Sequence, residues 1–280
     1  MKTRSRAADR SLALLAAALL LAGCVASREI VVSVPIERGA PADIRAHTDN
    51  ATVLRSVATL LVTRFALPLT PPIHAYFYPS RDDFERGLVE QARVDASIAR
   101  DQASYAIGVG TANGILLRGD RFGSVPVSLR IGVIAHELTH VSQYELAGGL
   151  RSTSEQWIRE GFADWVKYQA IEAFGFEPYA SSRAAVARAV RKARASVRLP
   201  DLDELAASRA WIAARRKLGN AATYGVAFLA VDRLVQRAGR DAVIGYFRRF
   251  AVSTDRDANF AAAFGVARAE FVADVRRDLP

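Results

Sequence analysis

Residues 136–140 read His136-Glu137-Leu138-Thr139-His140 inside a run with helical apolar spacing from Pro126 to Leu146, with Leu129, Val133, Ile134, Leu138 and Val141 on its apolar side. Four residues make close to one helical turn, so both imidazoles leave the same face. Two neutral imidazoles at that separation can bind one zinc ion, and Glu137 lies near enough to take a proton from an attacking water. A catalytic zinc takes three protein ligands and keeps one position open. The stretch Trp157-Ile158-Arg159-Glu160-Gly161-Phe162-Ala163-Asp164-Trp165 offers the third, Glu160, with nineteen residues between it and His140. Asp164 is one turn beyond Glu160, placed to accept an N–H from a metal-binding histidine and fix its tautomer. These requirements are strict for the fold: the helices at 126–146 and 154–171 must pack side by side.

The sequence HELTH followed by WIREGFADW resembles the gluzincin branch of zinc metallopeptidases, the thermolysin-like superfamily, and within it the compact peptidase MA-like domains. The specific part of the likeness is 130–168; at motif level it covers about 70–250. It implies a zinc site of His136, His140 and Glu160, Glu137 as general base, and Asp164 acting through His136. WIREGFA is also similar to the Trp-Leu-Asn-Glu-Gly motif of M1 aminopeptidases, but their GAMEN motif is missing. No third histidine follows His140, so the metzincin pattern is absent. Tyr224, in Thr223-Tyr224-Gly225-Val226, resembles the tyrosine-initiated helix of peptidase MA-like domains and is the candidate donor to the oxyanion. The resemblance implies a peptide or protein substrate laid along a sheet edge, here the hairpin at 104–118.

Elsewhere the pattern is mixed. Residues 29–36 read as a strand or tether, 43–66 as a long helix stopped by Pro68, Pro71 and Pro72, and 73–78 as a strand. Ser80 is a helix N-cap. Residues 104–118 form a hairpin around Thr111-Ala112-Asn113-Gly114. The helix at 154–171 is capped by Ser152 or Ser154, and beyond Pro178 the pattern is helical only, at about 180–195, 201–217, 221–238, 239–252 and 267–278. This predicts an α+β fold: a part with a small mixed sheet and the metal-site helices (43–172), a mostly helical part (173–280), and a cleft between them. His47 and His74 are incidental, and Trp157, Trp165 and Trp211 are core residues.

The first residues read as an address. A basic stretch, 1–10, precedes an apolar run, 11–22, too short to span a bilayer comfortably. It ends in Leu21-Ala22-Gly23-Cys24, which resembles a bacterial lipobox, and Cys24 is the only cysteine. An internal disulfide and a thiolate metal cluster are thereby excluded. The lipobox implies a signal peptide over 1–23, acylation of Cys24 and a tether over 24–42. Val25 in place of aspartate favours the outer membrane, facing the periplasm, by the sorting rule of Gram-negative lipoproteins. The net charge of +9 falls to +6 without residues 1–23. No nucleic-acid-binding motif accompanies it. Two functions fit: an anchored zinc peptidase, or an envelope lipoprotein that keeps the zinc fold for scaffolding or assembly.

Overall fold

A computed structural model describes residues 29–37, 39–150 and 153–278. Cys24, the signal-like segment and Ser152 lie outside the described residues. The fold is α+β. Strands β1 (Ile30–Val34), β2 (Ile73–Tyr78), β3 (Gly108–Thr111) and β4 (Gly114–Arg118) form one mixed sheet in the order β1-β2-β4-β3. β1 runs antiparallel to β2, β2 parallel to β4, and β3 antiparallel to β4. β4 is buried along its whole length, because the sheet is covered on both faces. Ile115 and Leu117 join the main core, while Leu116 packs with Tyr78, Phe84 and Leu88 in a smaller one. β3 is left as an edge strand.

Helix α1 (Asn50–Phe65) begins seven residues later than the apolar spacing predicts. The Asp49 carboxylate accepts from the Thr52 N–H at 2.9 Å and caps it there, and residues 45–48 form a turn before it. Helix α2 (Arg81–Glu90) is capped by Ser80 as expected. Helix α3 (Ala96–Tyr105), capped by Asp95, takes Ser104 and Tyr105 out of the predicted hairpin. Its sequence, ASIARDQASY, buries only two alanines, so no apolar period announces it. The hairpin turns through Ala112-Asn113, and Gly114, at φ +132°, opens β4 in a conformation that disfavours a side chain.

A single turn, α4 (Gly119–Phe122), leads to α5 (Val127–Leu146), which stops at Gly148 and Gly149, both at positive φ. Helix α6 (Gln156–Ala173) has Glu155 as N-cap, without a side-chain cap, in place of the expected serine. The helical part follows: α7 (Tyr179–Arg194), α8 (Ser208–Leu218), α9 (Asn220–Ala238), α10 (Arg240–Arg249), α11 (Arg256–Phe264) and α12 (Arg268–Asp278). The predicted 201–217 helix is broken, because the Ala206 carbonyl accepts from the Gln156 N–H that starts α6. Helix α11 is an addition to the expected set. Its Phe260 and Phe264 stack around Tyr246 with Phe247 and Phe250. Each such buried side chain contributes about 1.5–3 kcal/mol. Among the described residues, no helix is long and apolar enough to cross a membrane.

Helix α9 is the structural centre of the helical part. It lies along α6 so closely that a Cβ at Gly161 would meet the Ala227 carbonyl group and would come within 2.7 Å of Val231. This contact fixes how the helical part sits against the helix that carries Glu160.

Candidate metal centre

Helices α5 and α6 lie side by side and bring His136, His140 and Glu160 together, with one ligand atom of each within 4.8 Å of the others. The separations are 3.1 Å between the two Nε2 atoms, 3.3 Å from His136 Nε2 to Glu160 Oε2, and 3.6 Å from His140 Nε2 to the same oxygen. Donors at about 2.0–2.1 Å from a tetrahedral zinc stand about 3.3 Å apart. The three atoms therefore occupy three corners of a tetrahedron of the right size.

Each of these donors is held from behind. His136 Nδ1 lies 3.0 Å from Asp164 Oδ1, and His140 Nδ1 lies 2.9 Å from Gln143 Oε1. Each contact puts the ring proton on Nδ1 and leaves Nε2 with a lone pair for the metal. Gln143 is oriented in turn by donating to the Arg159 carbonyl at 3.1 Å. The Gln156 amide donates to Glu160 Oε1 at 2.6 Å, leaving Oε2 to face the imidazoles. Asp164 also accepts from Lys167 at 3.2 Å. Gln143 and Gln156 escape a reading of the motifs alone. The available signal is their spacing, three after His140 and four before Glu160, which puts each on its ligand's side of the helix.

Three buried carboxylates, Glu137, Glu160 and Asp164, gather here beside one lysine. Lys167 answers Asp164, which leaves the buried Glu137 and Glu160 facing two imidazoles. Burial opposes protonation of His136, yet its hydrogen bonds to Asp164 and Glu160 outweigh that and push the ring up to about 10. Burial likewise disfavours the Glu160 carboxylate, but His140 and His136 hold it well below the usual range. The group as a whole thus takes up positive charge. A dication supplies the same charge while leaving both rings neutral, so the donor set fits zinc.

Glu137 sits beside the three donors, on the edge-strand side. Its Oε2 accepts the Gly110 N–H at 2.7 Å, and burial raises its pKa against the lowering pull of the two imidazoles. The Ile107 carbonyl accepts from the Arg118 N–H. Alternation along an antiparallel ladder then turns the backbone groups of Gly108 and Gly110 away from β4, toward the site. Both positions need glycine. A Cβ at Gly108 would come within 2.9 Å of Glu137 Cγ, and one at Gly110 would meet the Glu137 carbonyl and lie 2.7 Å from His140 Cβ.

Tyr224 lies in the second turn of α9, with its ring centroid 6.5 Å from that of His136. Burial and the nearby Glu160 carboxylate keep its hydroxyl protonated, well above the usual tyrosine range. The Trp211 indole stands edge-on to it, centroids 4.9 Å apart. Kept protonated, the phenol can donate a hydrogen bond. Of the three tryptophans, Trp157 and Trp165 are core; Trp211 is buried too but reaches the site through Tyr224. Tyr105, at the end of α3, lines the same space, with the Arg215 guanidinium 3.4 Å from its ring centre. His47 and His74 are elsewhere: His47 is exposed and His74 pairs with Ser33.

Two recesses meet at His136, Glu137 and Tyr224. One, of about 150 Å³, runs under β3 past His140 and Arg159. The other, of about 400 Å³, is walled by Ile107, Leu129, Val133, Val186 and Ala189, with Lys167 among them. Comparison with protein-family models, curated proteins and solved structures finds no match to the chain.

Proposed function

We propose that the chain is a zinc-dependent peptidase of the gluzincin kind, held at the bacterial envelope by a lipid on Cys24. The observation that carries this reading is the set of three donor separations, which fits a tetrahedral zinc with one corner open. His136, His140 and Glu160 would hold the ion, oriented by Asp164, Gln143 and Gln156. Bound there, zinc would supply Lewis-acid polarisation of the carbonyl and acidify water at neutral pH.

The protein's own groups carry the rest. Glu137 takes the proton of the attacking water and passes it to the leaving amine; its raised pKa suits an acceptor that must also give the proton back. The outward groups of the β3 edge that Glu137 does not take, those of Gly108 and the Gly110 carbonyl, bind an extended peptide as an added strand, which gives affinity with little demand on sequence. Tyr224 donates its proton as a hydrogen bond to the oxygen that becomes negative. The two recesses, between the sheet-bearing part and the helical part, form the substrate cleft.

The test is metal analysis of the purified chain from residue 25 onward, coupled to casein cleavage with and without chelator. One zinc per chain and chelator-sensitive cleavage are expected. Zinc without cleavage of casein or a peptide library would favour a scaffolding lipoprotein instead. The anchor is tested separately: Cys24→Ser should leave the protein soluble or unprocessed, and outer-membrane fractionation identical to wild type would sink that part.

A further inference from the structure

The larger recess leads out over a basic surface. Its far wall is α7, through Val186 and Ala189. Helix α7 carries Arg183, Arg188, Arg191, Lys192 and Arg194 and no acidic residue. Arg183 turns back to Asp232 at 2.6 Å. Arg188 and Lys192, four apart, share an exposed face, and Lys192 stands one turn along from Ala189, beside the rim. The recess is bounded on another side by Asn220 and Ala221, which directly follow the basic last turn of α8 with the exposed Lys217. Inside it, Glu137 and Asp164 line the walls and Lys167 is paired with Asp164 at 3.2 Å, so the basic excess lies on the rim.

This local excess belongs to a larger division. Residues 29–178 hold fourteen Lys and Arg against eighteen Asp and Glu, a net −4, whereas residues 179–280 hold nineteen against ten, a net +9. The metal donors come from the first set and the far wall of the larger recess from the second. A chain crossing the site therefore leaves an acidic body and passes over a basic one. The rim along α7 carries one sign of charge, and such a patch raises the local concentration of the opposite sign.

We infer that the site takes polypeptides with acidic residues on one side of the bond to be cut, the side that leaves over α7. This rests on the peptidase reading of the site and adds the class of substrate. Lys167 is taken by Asp164, so it is acids a few residues from the bond that would meet Lys192, Arg188 and Lys217 on the rim. A basic segment there would be repelled, so the selection works against lysine-rich chains as well as for acidic ones.

The experiment uses the purified chain carrying Glu137→Gln, so that binding is read without turnover. Three labelled decapeptides share a central Leu-Leu: one has three glutamates after it, one has three glutamates before it, and one has glutamines in both places. Fluorescence anisotropy is expected to show one of the acidic peptides, and not the other, binding roughly tenfold tighter than the glutamine peptide, the low end for a focused field. That advantage should vanish at about 1 M NaCl, where the Debye length is about 3 Å. It should also vanish in the Arg188→Glu, Lys192→Glu double variant, whose binding of the glutamine peptide stays as it was. Equal affinity for acidic and glutamine peptides, or an advantage that survives the double variant, overturns the proposal. So does binding of phosphatidylglycerol vesicles that the double variant loses while the peptides are not discriminated, for then the face serves a membrane. Failure of the peptidase reading looks different: the acid preference and its loss on charge reversal would stand, with no turnover of any peptide by the wild-type chain.

Discussion

The sheet-bearing part and the helical part meet at one site but contribute different things to it. The first carries the three candidate metal donors, the proposed base Glu137 and the strand edge, on elements packed so tightly that a Cβ at Gly108 or Gly110 would clash. The second supplies Tyr224, its partner Trp211, and the α7 wall of the larger recess. One holds side chains at fixed distances; in the proposed reading the other would border the substrate. The contrast separates the metal centre from what faces it, and substitutions on the two sides should fail in different ways.

The largest effects belong to the sheet-bearing part. His140→Ala removes one of three donors, and most of the zinc should be lost; full occupancy by metal analysis would remove His140 from the ligand set. Glu137→Gln leaves the donors in place, so zinc is retained while turnover of a casein or peptide substrate falls by at least about 10²-fold. Near-normal turnover would point to another base. On the helical side, Tyr224→Phe should lower kcat by roughly 10²-fold, the low end for one lost oxyanion donor. KM, zinc content and melting temperature should stay nearly unchanged. If instead melting temperature falls and kcat holds, Tyr224 is a packing residue and the division between the two parts weakens.

A smaller effect lies behind the metal. Asp164→Asn keeps the shape of the side chain but loses the charge that faces His136 Nδ1 and Lys167. Zinc affinity, measured by competition with a chelator, should weaken by about 10- to 100-fold. An unchanged affinity would mean that the 3.0 Å contact does not orient the ring.

The same division explains what could be read from the sequence. His136, Glu137, His140, Glu160 and Asp164 sit within twenty-nine residues on two helices, so helical periodicity alone gives their common face. Their partners Gln143 and Gln156 were within reach of that reasoning, but a glutamine on a helix has many other uses. The recesses depend on residues as far apart as Tyr105, Lys167, Val186 and Tyr224, which only tertiary packing brings together. Helices α3 and α11 were illegible for another reason. Helix α3 buries only two alanines, and α11 is nine residues long, short for a period to emerge. The apolar spacing places the start of α1 too early because Ile44 is buried from a loop and mimics a helical apolar position.

The smallest effect is expected where the two parts touch. Gly161 follows Glu160 directly, and its missing side chain is what lets α9 lie against α6. The Ala227 carbonyl stands in the place a Cβ would occupy, and Val231 closes the other side. Neither a carbonyl inside a helix nor a buried β-branched side chain can swing away, so Gly161→Ala must push the two helices apart. Overpacking of this kind costs about 1–3 kcal/mol, partly offset by the better helix propensity of alanine. The donors all lie on α5 and α6, so zinc content should hold. Tyr224 rides on α9, three residues before Ala227, so it should move with it. A lowered melting temperature, unchanged zinc and a reduced kcat together are the expected signature of a shifted helical part. A variant that loses zinc with its stability would show that the metal centre depends on α9 after all, and that the two parts are one mechanical unit.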